Sequence, residues 1–334
     1  MEYILAVDGN NNKTDYLLCT MEGNFVDALR ADKILINDFD SAEQSLKLQL
    51  GELLGRNSVS YASVVSAGFG LIGANLPSQI TELETRIKKI GLTNFRVANN
   101  GILGIKAASN TGVGLCAVNS TSTLVIGSDE RRQILQVGGL GFITSDFAGG
   151  TYIRDKIMAA LYDFNYRCGE NSEMFTPVLE LLQVDNLQTA ISDNALLEKH
   201  NVNLIKIADK AAREGDKVAQ TIFDEIGLSI GKSVAGCIKK MHFEILGKQL
   251  DNPIEIILIG TIWNKVIYPG MIRTFLETVQ NFSGKICRAI PLKSPPAVGG
   301  ILWAREIISK PASPEYREKL LNTITLDFYE KFLG

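Results

Sequence analysis

Short apolar runs bounded by polar turns open the chain. Ile4 to Val7 ends on Asp8 and Gly9, a polar turn follows, and Tyr16 to Cys19 is a second apolar run. Two such runs joined by a Gly/Asn turn predict a hairpin. Strands are predicted over residues 3–8, 14–20 and 24–30. The pattern then changes period. Asp40 to Gln44 opens a helix in which Ser41 and Gln44 stand at capping-box spacing, and Leu46, Leu50, Leu53 and Leu54 share one face. Tyr61 to Ala67 reads as a buried strand that ends in a tight Gly68-Phe69-Gly70 turn. Ser78 can cap the next helix, whose Ile80, Leu83, Ile87 and Ile90 recur at helical spacing up to Gly91. Phe95 to Ala98 is a strand, and Asn99-Asn100 opens a third helix.

The second half repeats this order. Strands are predicted over 112–118, 121–126 and 133–137, and helices over 150–162 and through 174–241. A buried strand follows at Ile254 to Gly260, then a helix through Met271, Phe275 and Val279, a strand over 285–290 and a helix over 297–308. The tail, 313–333, reads as one more amphipathic helix. Both halves are β-β-β-α-β-α-β-α, the second with a helical insertion at about 165–241. The expectation is an α/β chain of two domains, 1–111 and 112–300, with residues 301–334 returning to the first.

Composition narrows the function classes. The 334 residues are 46% hydrophobic and 21% charged, which suits two domains with a core each. A net charge of −3 implies no basic patch and no nucleic-acid partner. No apolar run approaches the roughly 20 residues of a membrane span, and no leader is expected ahead of the first strand. The five cysteines are scattered and form no metal-ligand spacing. They read as reduced thiols in a cytoplasmic protein. The two histidines, His200 and His242, are too far apart in sequence to suggest a triad or a zinc site.

The first hairpin can be read in two ways. It is a plain polar turn, or it is a phosphate cradle in which turn N–H groups face an anion, with Asp8 near a metal ion and Thr14 as a polar contact. Four stretches, in order and spread over nearly the whole chain, bear on the choice. Asp8-Gly9 with Lys13-Thr14-Asp15 resembles the D-G-G-G-T-K-T-D signature of the N-acetylglucosamine kinase and BadF/BadG/BcrA/BcrD-type ATPase family. Ala67-Gly68-Phe69-Gly70 resembles that family's post-strand glycine turn. Gly138-Gly139-Leu140-Gly141 with Asp146 and Gly150 resembles its G-G-W-G…G-D-E-G-S-G stretch. Pro295-Pro296-Ala297-Val298-Gly299-Gly300 resembles its P-P-x-x-G-A/G helix start.

The resemblance implies two ribonuclease H-like (actin-like ATPase) domains facing each other across a cleft. It implies ATP and Mg²⁺ as cofactors, an amino sugar as ligand, and a homodimer. It places Asp8 at the metal, with Gly9, Asn10, Asn11, Asn12, Lys13, Thr14, Ser120, Thr121, Gly260 and Thr261 about the nucleotide. Gly139 and Asp146 fall at the sugar, and Asn100 at the general-base position.

The chain departs from the family where the chemistry lies. Asn10 to Asn12 replace the glycines of the first turn, and their side chains compete for backbone N–H groups. Asn119-Ser120-Thr121-Ser122 replaces G-T-G-S, and a Cβ blocks the close approach that glycine permits. Asn100 replaces an aspartate and cannot accept a proton near neutral pH; such a base contributes ~10²–10⁴-fold in rate. Asn99 or Asn100 as a helix N-cap explains the same residues without chemistry. Phe147 follows Asp146 where the family has glutamate. Trp263 follows Gly260-Thr261, available either to stack on a base or to pack. Gly227 to Ser233 imitates a nucleotide-binding G-x-x-x-x-G-K-S loop but is one residue short and lies inside a helical run. Its glycines suit close packing against the sheet.

An ATP-dependent hexosamine kinase and a kinase-derived binding protein without catalysis therefore both stand. A radical-dehydratase activator, which needs cluster-ligating cysteines, ranks last.

Overall fold

The computed structural model describes residues 1–34 and 36–333. Among them, ten strands form two five-stranded sheets. The first holds β1 (Tyr3–Gly9), β2 (Lys13–Thr20), β3 (Phe25–Asp32), β4 (Val64–Leu71) and β5 (Phe95–Ala98), in the order β3-β2-β1-β4-β5. The second holds β6 (Gly114–Asn119), β7 (Thr123–Ser128), β8 (Ile134–Gly138), β9 (Ile254–Ile259) and β10 (Cys287–Pro291), in the order β10-β9-β6-β7-β8. Read from β8, the second order repeats the first strand for strand. The duplication visible in the element order is thus a duplication of topology.

Three helices follow the strands of the first half: α1 (Phe39–Arg56), α2 (Pro77–Ile90) and α3 (Gly101–Ala108). Between β8 and β9 stand α4 (Gly150–Tyr166), then α5 (Phe175–Leu182), α6 (Leu187–Ser192), α7 (Asn194–Arg213) and α8 (Lys217–Lys240). The chain ends with α9 (Thr261–Lys265), α10 (Pro269–Ser283), α11 (Pro296–Ile307) and α12 (Pro314–Leu333).

In the first sheet β1 pairs antiparallel with β2 and parallel with β4. Side chains alternate across a strand, so the apolar runs split between two cores. Leu5, Val7, Tyr16 and Leu18 meet Leu46, Leu50 and Leu53 of α1 and Leu83 and Ile87 of α2. Ile4, Ala6, Leu17 and Cys19 meet Val298 and Ile301 of α11 and Leu320, Ile324 and Phe328 of α12. A sheet covered on both faces needs continuous apolar strands, which explains runs such as Ile4–Val7. Contacts divide the chain into two compact units, Met1–Cys116 with Ile126–Ile134 and Ile290–Gly334, and Ala117–Val125 with Leu135–Ala289. No helix among the described residues is long and apolar enough to cross a membrane.

Several local expectations are corrected. Asp38, not Ser41, caps α1, accepting from the N–H groups of Asp40 and Ser41 at 3.1 Å each. Pro77, not Ser78, leads α2, and the Gln79 side chain accepts the Leu76 N–H at 2.9 Å. Gly68-Phe69-Gly70 lies inside β4 rather than in a turn. A Cβ at Gly68 would stand 2.8 Å from Gly300 O, and one at Gly70 would stand 2.5 Å from Leu103 side-chain atoms, so these glycines admit α11 and α3. Gly227 and Gly231 do lie within α8, but the surface they approach is α10, at Met271, Phe275 and Thr278, not the sheet.

Candidate functional site

Within the first unit, the parallel register sets Asp8 beside Gly70 and Gly70 beside Ala98, with Asn99 and Asn100 following directly. The carboxyl ends of β1, β4 and β5 therefore meet, the place where open α/β sheets hold ligands. Asp8 is 3% exposed and its Oδ1 has no hydrogen-bond partner. Burial raises its pKa to about 7, and the nearby Asp15 carboxylate pushes the same way. An Asn100 side-chain hydrogen bond and the Lys13 charge oppose the rise. Asn100 thus lies against Asp8, at the N-cap of α3, where its own side chain makes no capping bond. The capping bond comes from Asn99, whose Oδ1 accepts the Gly101 N–H at 3.1 Å while its Nδ2 donates to Asn75 at 2.9 Å.

The hairpin turn is satisfied by itself. Asn10 Oδ1 accepts the N–H of Asn12 at 3.0 Å and that of Lys13 at 3.2 Å, and the Asn10 N–H donates to Lys13 O at 2.9 Å. Asn11 and Asn12 are exposed. The Lys13 ammonium is held by Asp15 at 2.6 Å, and Asp15 also accepts from Arg30 Nε at 2.7 Å. Thr14 is fully buried with an unpartnered Oγ1. It pairs with Gly9 across the ladder while Asp8 pairs with Asp15, and alternation puts these two pairs on opposite faces. Asp8 and Thr14 are therefore not brought to one point by the hairpin.

In the second unit, Asn119 is wholly buried and both its amide atoms lack partners. The turn after it closes through Ser120 N–H on Ser122 O at 2.9 Å. Ser120 O then accepts the Gly150 N–H at 2.7 Å and Thr121 O accepts the Thr151 N–H at 3.3 Å. The N–H groups that open α4, the natural anion donors of a helix start, are thus already engaged by carbonyls. Gly260 has φ +119°, and a Cβ there would collide with the Asn119 main chain. It seats β9 against β6. Thr261 follows it, exposed, as the first residue of α9. The packing alternative holds for Trp263, whose Nε1 donates to Ala117 O at 2.9 Å and whose ring lies 5.3 Å from that of Phe275.

Asp146 is likewise occupied. Its Oδ2 accepts the N–H of Gly139 at 2.9 Å, the N–H of Gly141 at 2.6 Å and the Thr144 hydroxyl at 3.0 Å. Gly138, Gly139 and Gly141 all have positive φ. The loop is a nest of N–H groups whose anion is its own aspartate. Phe147 meets Phe142 edge-on, with ring centres 4.9 Å apart, and lies tilted against Tyr152 at 5.3 Å. A cavity of about 360 Å³ adjoins this loop, lined by Ser145, Tyr152, Glu225, Ser229, Lys232 and Ser233 among others. Of its polar residues from α8, Glu225 carried no motif, while Ser229, Lys232 and Ser233 lie in the stretch that imitates a nucleotide-binding loop in sequence. No group of three or more histidine, cysteine, aspartate or glutamate side chains able to hold a metal occurs among the described residues.

No family model matches the chain, and no curated protein matches it in sequence. Solved structures do match. A candidate N-acetylglucosamine kinase of Chromobacterium violaceum superposes with a TM-score of 0.59 at 15% identity, covering 90% of this chain and 98% of that one. A ROK family glucokinase of Streptomyces griseus, in complex with glucose and AMPPNP, gives 0.53 at 13% identity, covering 91% and 99%. The chain has the fold of the sugar kinases. A ROK family transcriptional regulator, a homologue of the E. coli MLC protein, matches almost as well, with a TM-score of 0.58 at 16% identity over 97% of this chain and 81% of that one. On this actin-like ATPase fold, Asp8 and Asn100 come together in the first unit. Asn119 to Thr121 and Gly260 come together in the second.

Proposed function

We propose that this chain is an N-acetylglucosamine kinase-like protein whose phosphoryl transfer is impaired, and that it works by binding an amino sugar or a nucleotide. The observation that carries the reading is the Asn10 side chain, which takes the N–H groups of Asn12 and Lys13 that a phosphate would need. The capture of α4's first N–H groups by Ser120 and Thr121 carbonyls points the same way. So does an amide, Asn100, beside the buried carboxylate of Asp8. The matching fold of a transcriptional regulator supports a role in which the sugar-kinase fold reads a ligand instead of modifying it. The reading carries with it a cytoplasmic homodimer built on residues 165–241, and domains divided near residues 111 and 300.

Asp8 Oδ1 is a buried carboxyl oxygen without a partner, which fits one ligand of a magnesium ion once the group is deprotonated. Mg²⁺ bound with a nucleotide would neutralise phosphate charge. The residues of this chain would do the rest: Asp8 would hold the ion, and Gly9 leaves room beside Leu71 and Thr14.

One observation favours a second reading, an active hexosamine kinase. A carboxyl with its pKa near 7 has the basicity a general base requires, and in this reading Asp8 would accept the sugar proton instead of holding the ion. Calorimetric titration with ATP/Mg²⁺ and with N-acetylglucosamine, beside a coupled ADP-release assay, separates the two. Sugar or nucleotide binding without turnover supports the first reading; rapid turnover supports the second.

A further inference from the structure

Helix α3 is apolar along most of its length, yet carries one lysine that is only 1% exposed. The Lys106 ammonium donates to Gly112 O at 2.8 Å, Ser128 Oγ at 3.3 Å and Glu306 Oε2 at 2.7 Å. A buried ammonium needs such partners, but the charge around it is not balanced. Glu306 is shared with Arg132, whose Nη1 lies 3.6 Å from Oε1 and donates to Thr111 O at 3.1 Å. Arg317 donates to the Lys106 carbonyl at 2.6 Å. Burial and the charges of Arg132 and Arg317 bring the Lys106 pKa down to about 8, against the pull of Glu306.

A cavity of about 240 Å³ opens beside this lysine, lined by Arg96, Lys106, Ser128, Arg132, Trp303 and Glu306 among others. Every lining residue belongs to the first unit. Three cationic groups thus face one carboxylate. Arg96 makes no hydrogen bond or ion pair among the described residues. Arg132 keeps guanidinium N–H groups beyond the one on Thr111. Ser128 Oγ accepts from Lys106, which leaves its own O–H free to donate.

We infer that this cavity binds the phosphoryl group of a small anion, inorganic phosphate or a phosphate monoester, between Arg96, Arg132 and the Ser128 hydroxyl, with Lys106 as fixed positive charge beneath it. Two guanidinium forks and a hydroxyl match the oxygens of a tetrahedral dianion, and the excess of two cationic groups matches its charge. With about 30 Å³ per water as a guide, the volume leaves room beyond one such anion. Trp303 and Ile134 supply an apolar wall for the organic part of an ester. The inference involves none of the residues of the Asp8 hairpin and does not rest on the function proposed above.

The test is calorimetric titration of the full chain at pH 7.5 and matched ionic strength, with sodium phosphate and with glucosamine 6-phosphate. Arg96→Ala, Arg132→Ala and the double variant are compared, with circular dichroism as the check of folding. Both arginines are exposed, so these variants leave the buried Lys106–Glu306 pair in place. Binding is expected at one site per chain, weakened about tenfold or more by each substitution, as the loss of a charge-assisted bond implies. Tighter binding of the sugar phosphate assigns the site to an ester, and equal or tighter binding of inorganic phosphate assigns it to the free ion. Absence of binding by both anions overturns the inference, as does a folded double variant that binds as the parent does.

Discussion

Asn10 Oδ1 accepts the main-chain N–H of Asn12 at 3.0 Å, and so closes the first turn on itself. An asparagine side chain here does the work that a bound phosphate would do in an open turn. Asn10→Gly removes the acceptor and frees the N–H groups of Asn12 and Lys13. The expected result is an affinity for ATP/Mg²⁺ raised at least tenfold over the parent by calorimetry, together with a stability loss of about 1 kcal/mol for the two lost bonds. Micromolar binding by the parent would mean that the asparagines donate to the phosphates and that the cradle has been rebuilt.

The buried carboxyl of Asp8 makes stability depend on pH in an unusual direction. Its pKa is raised from 3.8 to about 7 on folding, by burial first and by Asp15 second. Between these two values the folded chain holds a proton that the unfolded chain has released, so stability falls as pH rises and levels off above about pH 7. A shift of this size corresponds to about 4 kcal/mol. Asp8→Asn keeps the shape and removes the titration. Urea unfolding at pH 5 and pH 8 is expected to give a parent that loses stability relative to the variant at the higher pH. A parent–variant difference that does not change with pH would refute the assignment.

Much of this was legible in the sequence because strand runs and helical periods are local properties. The unbroken runs Ile4–Val7 and Tyr16–Cys19 marked the first hairpin, and Gly91 marked the end of α2, where its φ is +113°. What was not legible depends on partners far along the chain. Gly68 and Gly70 were read as a turn, since nothing nearby reveals that α11 and α3 press on them. Asp146 looked like a ligand contact, but a carboxylate enclosed by its own loop differs from a free one only in three dimensions. Lys106 did leave a signal, a single charge in the apolar run Gly101–Ala108, which burial explains and periodicity did not use.

Helix α8 carries its own control for the glycine argument. A Cβ at Gly231 would stand 2.6 Å from Thr278 Cβ and 2.9 Å from Phe275 O, whereas one at Gly236 meets nothing within 4 Å. Gly231→Ala is expected to destabilise by roughly 1–3 kcal/mol, since overpacking outweighs the gain in helix propensity. Gly236→Ala should stabilise by roughly 0.5–1 kcal/mol. Neither change should alter nucleotide binding, because these glycines sit in a helix interior and form no phosphate loop. Equal effects of the two substitutions on denaturant midpoints would contradict the packing account.

The last prediction concerns Asn100, the amide that lies against Asp8. Asn100→Asp restores a carboxylate of nearly the same size, and a general base supplies ~10²–10⁴-fold in rate. The new acid, however, would face Asp8, whose own pKa is already near 7. Two neighbouring carboxylates do not ionise together, so the pair would retain one proton near neutral pH and titrate as a unit. The first turn would also still be closed by Asn10, and a base does nothing when the phosphoryl donor is not held in line. Asn100→Asp alone is therefore expected to raise hexosamine phosphorylation by less than about tenfold over a very slow parent, well short of the range for a general base. Glycine at Asn10, Asn11 and Asn12 alone should improve nucleotide binding more than turnover. The combination should exceed the product of the two separate gains, because both changes serve one step. A coupled ADP-release assay with N-acetylglucosamine and glucosamine, run on the parent, each repaired form and the combination, measures this directly. A parent that already turns over rapidly would return the protein to the active kinases.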